Sequence, residues 1–98
     1  GEEHKFKHSE ELRFKIRNRR NRLFGQWVAE THLGLSGEAA SAYAKDVVMA
    51  DFESPGDDDM LTKVKADLAK AGHNLSDHQL SRQLHDLEVV AKAQVPAE

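Results

Sequence analysis

The side chains most able to do chemistry here are histidines, clustered aspartates and a dense run of arginines, and each has a competing plain explanation. His4 and His8 are four residues apart, and His78 and His85 are seven apart. Neither pair belongs to a His-Glu-x-x-His arrangement, so the spacing gives no zinc centre and solvated imidazoles account for it. Asp57-Asp58-Asp59 offers three carboxylates, but the glycine and the distal glutamate of a calcium loop are missing. Capping a helix and complementing its dipole suits these aspartates better. Ser9, Ser36 and Ser76 fall where helix N-caps belong, and none has the glycine-flanked setting of a nucleophile elbow. Gly34-Leu35-Ser36-Gly37 is too short for a phosphate-binding loop and has no lysine. The chain has no cysteine, which excludes disulfides, thiolate metal sites and cysteine catalysis. A non-enzymatic protein without catalytic residues, metal or cofactor is the expectation.

The basic run is different. From Lys5 to Arg22 there are eight bases against Glu10 and Glu11, a local charge of +6. From Glu38 to Asp67 eight acids face three lysines, a local charge of −5, although the whole chain carries only −3. This asymmetry predicts a basic arm over residues 1–22 and an acidic body over residues 23–98. An anionic partner follows: a nucleic acid, a membrane surface or an acidic cleft on a protein. Phe6 and Phe14 are large apolar groups on this polar segment and suit the role of anchors. Phe6, Arg13, Phe14, Arg17, Arg19 and Arg20 are therefore the candidate contacts. Arg17-Asn18-Arg19-Arg20-Asn21-Arg22 also resembles an arginine-rich nucleic-acid helix, and a small nucleic-acid-binding module is the alternative function.

Four helices must position these groups, and start and stop signals place them. The first is predicted from about Glu10, capped by Ser9, to His32, with Gly34 past its end. At 100° per residue Leu12, Ile16, Leu23 and Trp27 form its apolar stripe, with Arg19 and Arg20 beside it and Phe14 opposite. The second runs from Gly37 to Glu53 after Ser36 and stops at Ser54-Pro55-Gly56. Its broad apolar arc predicts a central helix. The third spans Asp58 to Ala71, capped by Asp57 or Asp58, with Met60, Leu61, Val64, Leu68 and Ala71 on one face. The fourth opens with a capping box at Ser76-Asp77-His78-Gln79 and presents Leu80, Leu84, Leu87, Ala91 and Val95. No segment alternates with period two. The 98 residues, 39% hydrophobic and 32% charged, supply one core and no membrane span. The fold class is all-α: a small four-helix bundle with a long, basic, partly projecting first helix. Asp51, unfavourably placed near a helix carboxyl end, or Glu53 is expected to pair with Arg19 or Arg20 and clamp the first helix to the body.

Several stretches together resemble a known family. They are Arg20-Asn21-Arg22-Leu23-Phe24-Gly25-Gln26-Trp27, Leu33-Gly34-Leu35, the long run from Tyr43 to Asp57, and Val64-Lys65-Ala66-Asp67-Leu68. They resemble the zeta subunit family of alphaproteobacterial F-type ATP synthases. The resemblance implies a four-helix regulator whose basic amino-terminal segment wedges into the catalytic head of alpha, beta and gamma subunits and blocks hydrolytic rotation. It implies a cytoplasmic protein, peripheral to the inner membrane through the synthase. It also implies weak binding of ATP or ADP, at a site no motif here marks. The segment from Lys5 to Lys15 matches the lead into the first long helix. Family members usually carry further residues upstream, and with Gly1 at its start this chain is expected to be a fragment or a processed form.

Overall fold

The computed structural model describes residues 2–52 and 57–95, and the side chains among them apart from those of residues 2–9 and 52. Four helices follow in order: α1 (Glu2–Thr31), α2 (Gly37–Phe52), α3 (Asp58–Lys70) and α4 (Asp77–Gln94). No strand occurs among the described residues. The architecture is the expected all-α four-helix bundle. No described helix is long and apolar enough to cross a membrane.

α1 starts earlier than its sequence signals suggest. Ser9 lies inside the helix rather than capping it. The preceding Glu, His, Lys and Phe residues include no proline or glycine to break a helix, so a cap-competent serine alone does not start one. Thirty residues make a rod of about 45 Å. That rod accounts for most of the molecule's 53 Å length, against 26 and 22 Å in the other directions. At its far end Gly34 takes φ +68°. The Leu35 amide there turns back to the Ala29 carbonyl at 2.9 Å. Only glycine adopts this left-handed geometry without strain, so the stop is written into the sequence.

The buried face of α1 differs from the hydropathy stripe. Arg20, Asn21, Phe24, Gly25, Val28 and Ala29 are buried, while Leu12, Ile16, Leu23 and Trp27 are only half-buried. The true face lies about 140° round the helix from the stripe of large apolar residues. Two of its members are polar and one is glycine, which a count of apolar residues does not register. The same correction moves Phe14. It lies two turns before Asn21, on the core-facing side rather than opposite it, yet remains 54% exposed.

α1 and α2 share the central position: α1 packs against α2 and α4, and α2 packs against α1 and α3. Phe24 and Val28 join Val47, Met60, Val64, Leu68, Leu80 and Leu84 in one core, with Trp27, Leu33, Tyr43, Leu61, Leu75 and Leu87 packed around it. α2 is less enclosed than its alanine content suggests, since Ala39, Ala42 and Met49 face solvent. One of its contacts is nevertheless very close. A Cβ at Gly25 would sit 2.8 Å from the Ala44 Cα and 3.1 Å from the Val47 Cβ, so α1 and α2 touch backbone to backbone. Gly25→Ala gains about 1 kcal/mol of helix propensity but must push the two helices apart, at a cost of about 1–3 kcal/mol. A lower melting temperature is expected, and a raised one would show that the contact is loose.

α3 and α4 follow their patterns. Met60, Val64 and Leu68 are buried, while Ala71 is exposed beyond the helix end. Ser76 and Gln79 exchange both bonds of the capping box, at 3.1 and 2.9 Å. The predicted stop at Ser54-Pro55-Gly56 lies outside the described residues.

Candidate partner-binding surface

The basic helix divides into an engaged root and an exposed outer part. The root is built around Asn21, whose side chain has no exposed surface. Its amide Nδ2 donates to Asp51 Oδ2 at 2.8 Å. Its Oδ1 accepts from Arg20 Nε at 3.1 Å and Arg20 Nη2 at 2.9 Å. Asp51 also receives the fork of Arg17, with Nε to Oδ2 at 2.7 Å and Nη2 to Oδ1 at 2.9 Å. Arg20 Nη2 continues to Asp57 Oδ1 at 2.7 Å, where Arg17 Nη2 approaches at 3.4 Å. Arg20 Nη1 lies 3.6 Å from Glu88 Oε1. Asp51 belongs to α2, Asp57 precedes α3 and Glu88 belongs to α4, so Arg17, Arg20 and Asn21 on one side of α1 tie it to α2, to the start of α3 and to α4. No buried side-chain polar atom among the described residues lacks a partner.

This network revises two expectations. Asp51 does clamp α1, but through Arg17 and Asn21 instead of Arg19 or Arg20, because the buried face of α1 is turned from the hydropathy stripe. Glu53, the other acid considered, lies outside the described residues. Asp57 occupies the N-cap position of α3 without a side-chain capping bond. Its carboxylate is taken by the two guanidinium groups, which offer stronger charge-assisted hydrogen bonds than a backbone amide. The hydrogen bonds to Asp51, with the negative charges of Asp51 and Asp57, raise the Arg17 pKa above its ordinary value, although burial opposes them.

The outer part is wet. Glu10, Glu11, Arg13, Phe14 and Lys15 are exposed, and Leu12 and Ile16 are half-buried. Of the six candidate contacts, Arg13 and Phe14 lie here. Arg19 is half-buried and donates through Nε to Gln94 Oε1 at 3.0 Å. The Arg17 side chain is 43% exposed and that of Arg20 only 10%, both inside the network. The Phe6 side chain lies outside the described residues. A groove beside Arg19 brings in residues that sequence reasoning did not select: Lys45, Val48 and Met49 of α2 and Val95 after α4. Among the described residues no three His, Asp or Glu side chains gather as metal ligands would.

The geometry is that of a helix held by its root, with a cationic and aromatic outer part facing solvent. Against the known protein families, the model for ATPase inhibitor subunit zeta matches residues 1–94. The chain belongs to this family. The match spans all four helices described above. No curated protein matches. No solved structure matches either.

A smaller cluster lies at the other end of α1. The rings of Trp27 and His32 meet edge to face at 5.0 Å, and His32 meets His73 at 5.3 Å. Burial, then the neighbouring His73, lowers the His32 pKa below its ordinary 6.5. The folded state thus disfavours the imidazolium. The stability this gives is fully present above the unfolded value and is lost as pH falls through the lowered folded one. Between about pH 8 and about pH 5 the melting temperature should fall further in the parent than in His32→Gln. Equal falls would remove His32 from the account.

Proposed function

We propose that this chain restrains ATP hydrolysis by F-type ATP synthase, docking on the catalytic head through α1 and performing no chemistry itself. Family membership supplies the regulatory role on the synthase. The observation that carries the docking reading is the contrast along one helix. Arg13, Phe14 and Lys15 are exposed, while Arg20 to Ala29 include the most deeply buried residues of α1.

A protein built this way presents cations that steer it to an acidic cleft. Aromatic side chains then bury apolar area at the point of contact. Phe6, Arg13, Phe14 and Arg19 make the contacts in this reading. Arg17 and Arg20 act with them by fixing the direction in which the helix leaves the body, and Arg17, partly exposed, also adds to the positive field. Inhibition is mechanical: a rigid helix seated between catalytic subunits opposes the rotation that hydrolysis drives. The protein then works at the cytoplasmic side of the inner membrane, held there by the synthase.

The test is direct binding. Labelled protein titrated with purified catalytic heads should bind saturably, with affinity falling as salt rises. No binding at low salt would overturn the reading.

A further inference from the structure

Beside the root of the arm, α1 and α2 flank an open groove of about 490 Å³, of which the arm-insertion reading uses Arg19 alone. Its walls carry Lys15, Arg19 and Arg22 from α1 and Lys45 from α2, and no acid lines it among the described residues. Its floor is apolar: Val48, Met49 and Val95. Met49 is 59% exposed, though methionine is usually an interior residue. A pliable thioether ringed by cations is a surface suited to an apolar group flanked by negative charge. The groove is of ligand size but open along its length, which fits side chains from a passing segment better than an enclosed small molecule.

We infer that this groove is a second docking surface, occupied by an acidic segment of the synthase head with an apolar side chain at its centre. The inference rests on the reading that the chain docks on the head, and adds a body contact to the arm contact. Charge complementarity chooses the occupant. Four basic side chains on two different helices converge on one apolar floor. Carboxylates spaced on either side of a leucine or phenylalanine would meet a cation on each wall while the apolar group covers Met49. Arg22, exposed on α1, offers a fork that a carboxylate can engage in bidentate fashion. The two contacts are joined by the continuous helix α1, so one raises the effective concentration of the other.

The test uses a Lys45→Glu/Met49→Ser double variant of the whole chain in an ATP hydrolysis assay with purified heads. Both positions are exposed, so an unchanged melting temperature is expected. The half-inhibiting concentration should rise by about tenfold to a hundredfold, with a shallower salt dependence, as expected when charge across an interface is reversed. If the double variant melts earlier, Arg22→Glu, exposed on the opposite wall, takes its place with the same expected result. An unchanged half-inhibiting concentration overturns the groove while leaving arm docking intact. Absence of binding by the parent protein overturns both. Parallel titrations with duplex DNA and with free ATP complete the test. If either binds the parent and loses that binding in the variant while head inhibition is unmoved, the groove serves phosphates and the inference is wrong.

Discussion

Asp51→Asn should lower the stability of the whole bundle by about 2–3 kcal/mol, although it changes one side chain by a single atom. The carboxylate takes three hydrogen bonds, two from Arg17 and one from Asn21. Its side chain is 8% exposed, so water does not easily replace them. An asparagine amide must set its NH2 either against Arg17 Nη2 or against both Arg17 Nε and Asn21 Nδ2, so donor faces donor in each orientation. The partial exposure of Arg17 keeps the loss below that of a fully buried pair. For a domain of this size the melting temperature should drop by about 10 °C or more. Amide protection between residues 10 and 18 should fall with it, because the clamp is what fixes that stretch. Unchanged melting and unchanged protection would mean that apolar packing alone holds α1.

Arg13→Ala/Phe14→Ala should do the opposite: leave the fold alone and remove the binding. Both side chains are exposed, so the melting temperature should move by the equivalent of about 0.5 kcal/mol or less per position. Affinity for purified heads should fall by about a hundredfold, the effect of truncating an aromatic anchor and a neighbouring arginine at an interface. Val89→Ala/Val90→Ala gives a matched control. These two valines are exposed on α4, 59% and 41%, and their removal should leave affinity unchanged. Equal losses in both variants would mean that general surface hydrophobicity drives the binding.

How far these features can be read from the sequence depends on how far apart their partners are. The capping box of α4 needs only Ser76 and Gln79, three residues apart, and is legible. Met60, Val64 and Leu68 repeat at helical spacing and are legible too. The glycine stop at Gly34 is legible for the same reason, since its requirement is local. The face of α1 is not. It is defined by Asn21 and Arg20, whose burial is favourable only because Asp51 and Asp57 arrive from 30 and 37 residues away. It is defined equally by Gly25, whose value is an absent atom opposite Ala44. Hydropathy scores all three as solvent-facing and turns the helix the wrong way.

The candidate surface divides along the same line. The charge asymmetry and the exposed Phe14 on a basic helix are properties of one segment. That Asp51 answers α1 is foreseeable from its awkward position near a helix carboxyl end, whereas its choice of Arg17 follows from the turned face. The groove at Met49 comes from two helices lying side by side and has no signature in either alone.

In the proposed mechanism the exposed cationic helix of this zeta-family chain stops ATP hydrolysis by seating in the catalytic head. Steady-state hydrolysis by purified heads, followed against increasing concentrations of the parent and of the Arg13→Ala/Phe14→Ala variant, tests it most directly. A saturable fall is expected with the parent, and an inhibition curve displaced by about two decades with the variant. Hydrolysis untouched by the parent at every concentration, or curves for parent and variant that superimpose, would contradict it.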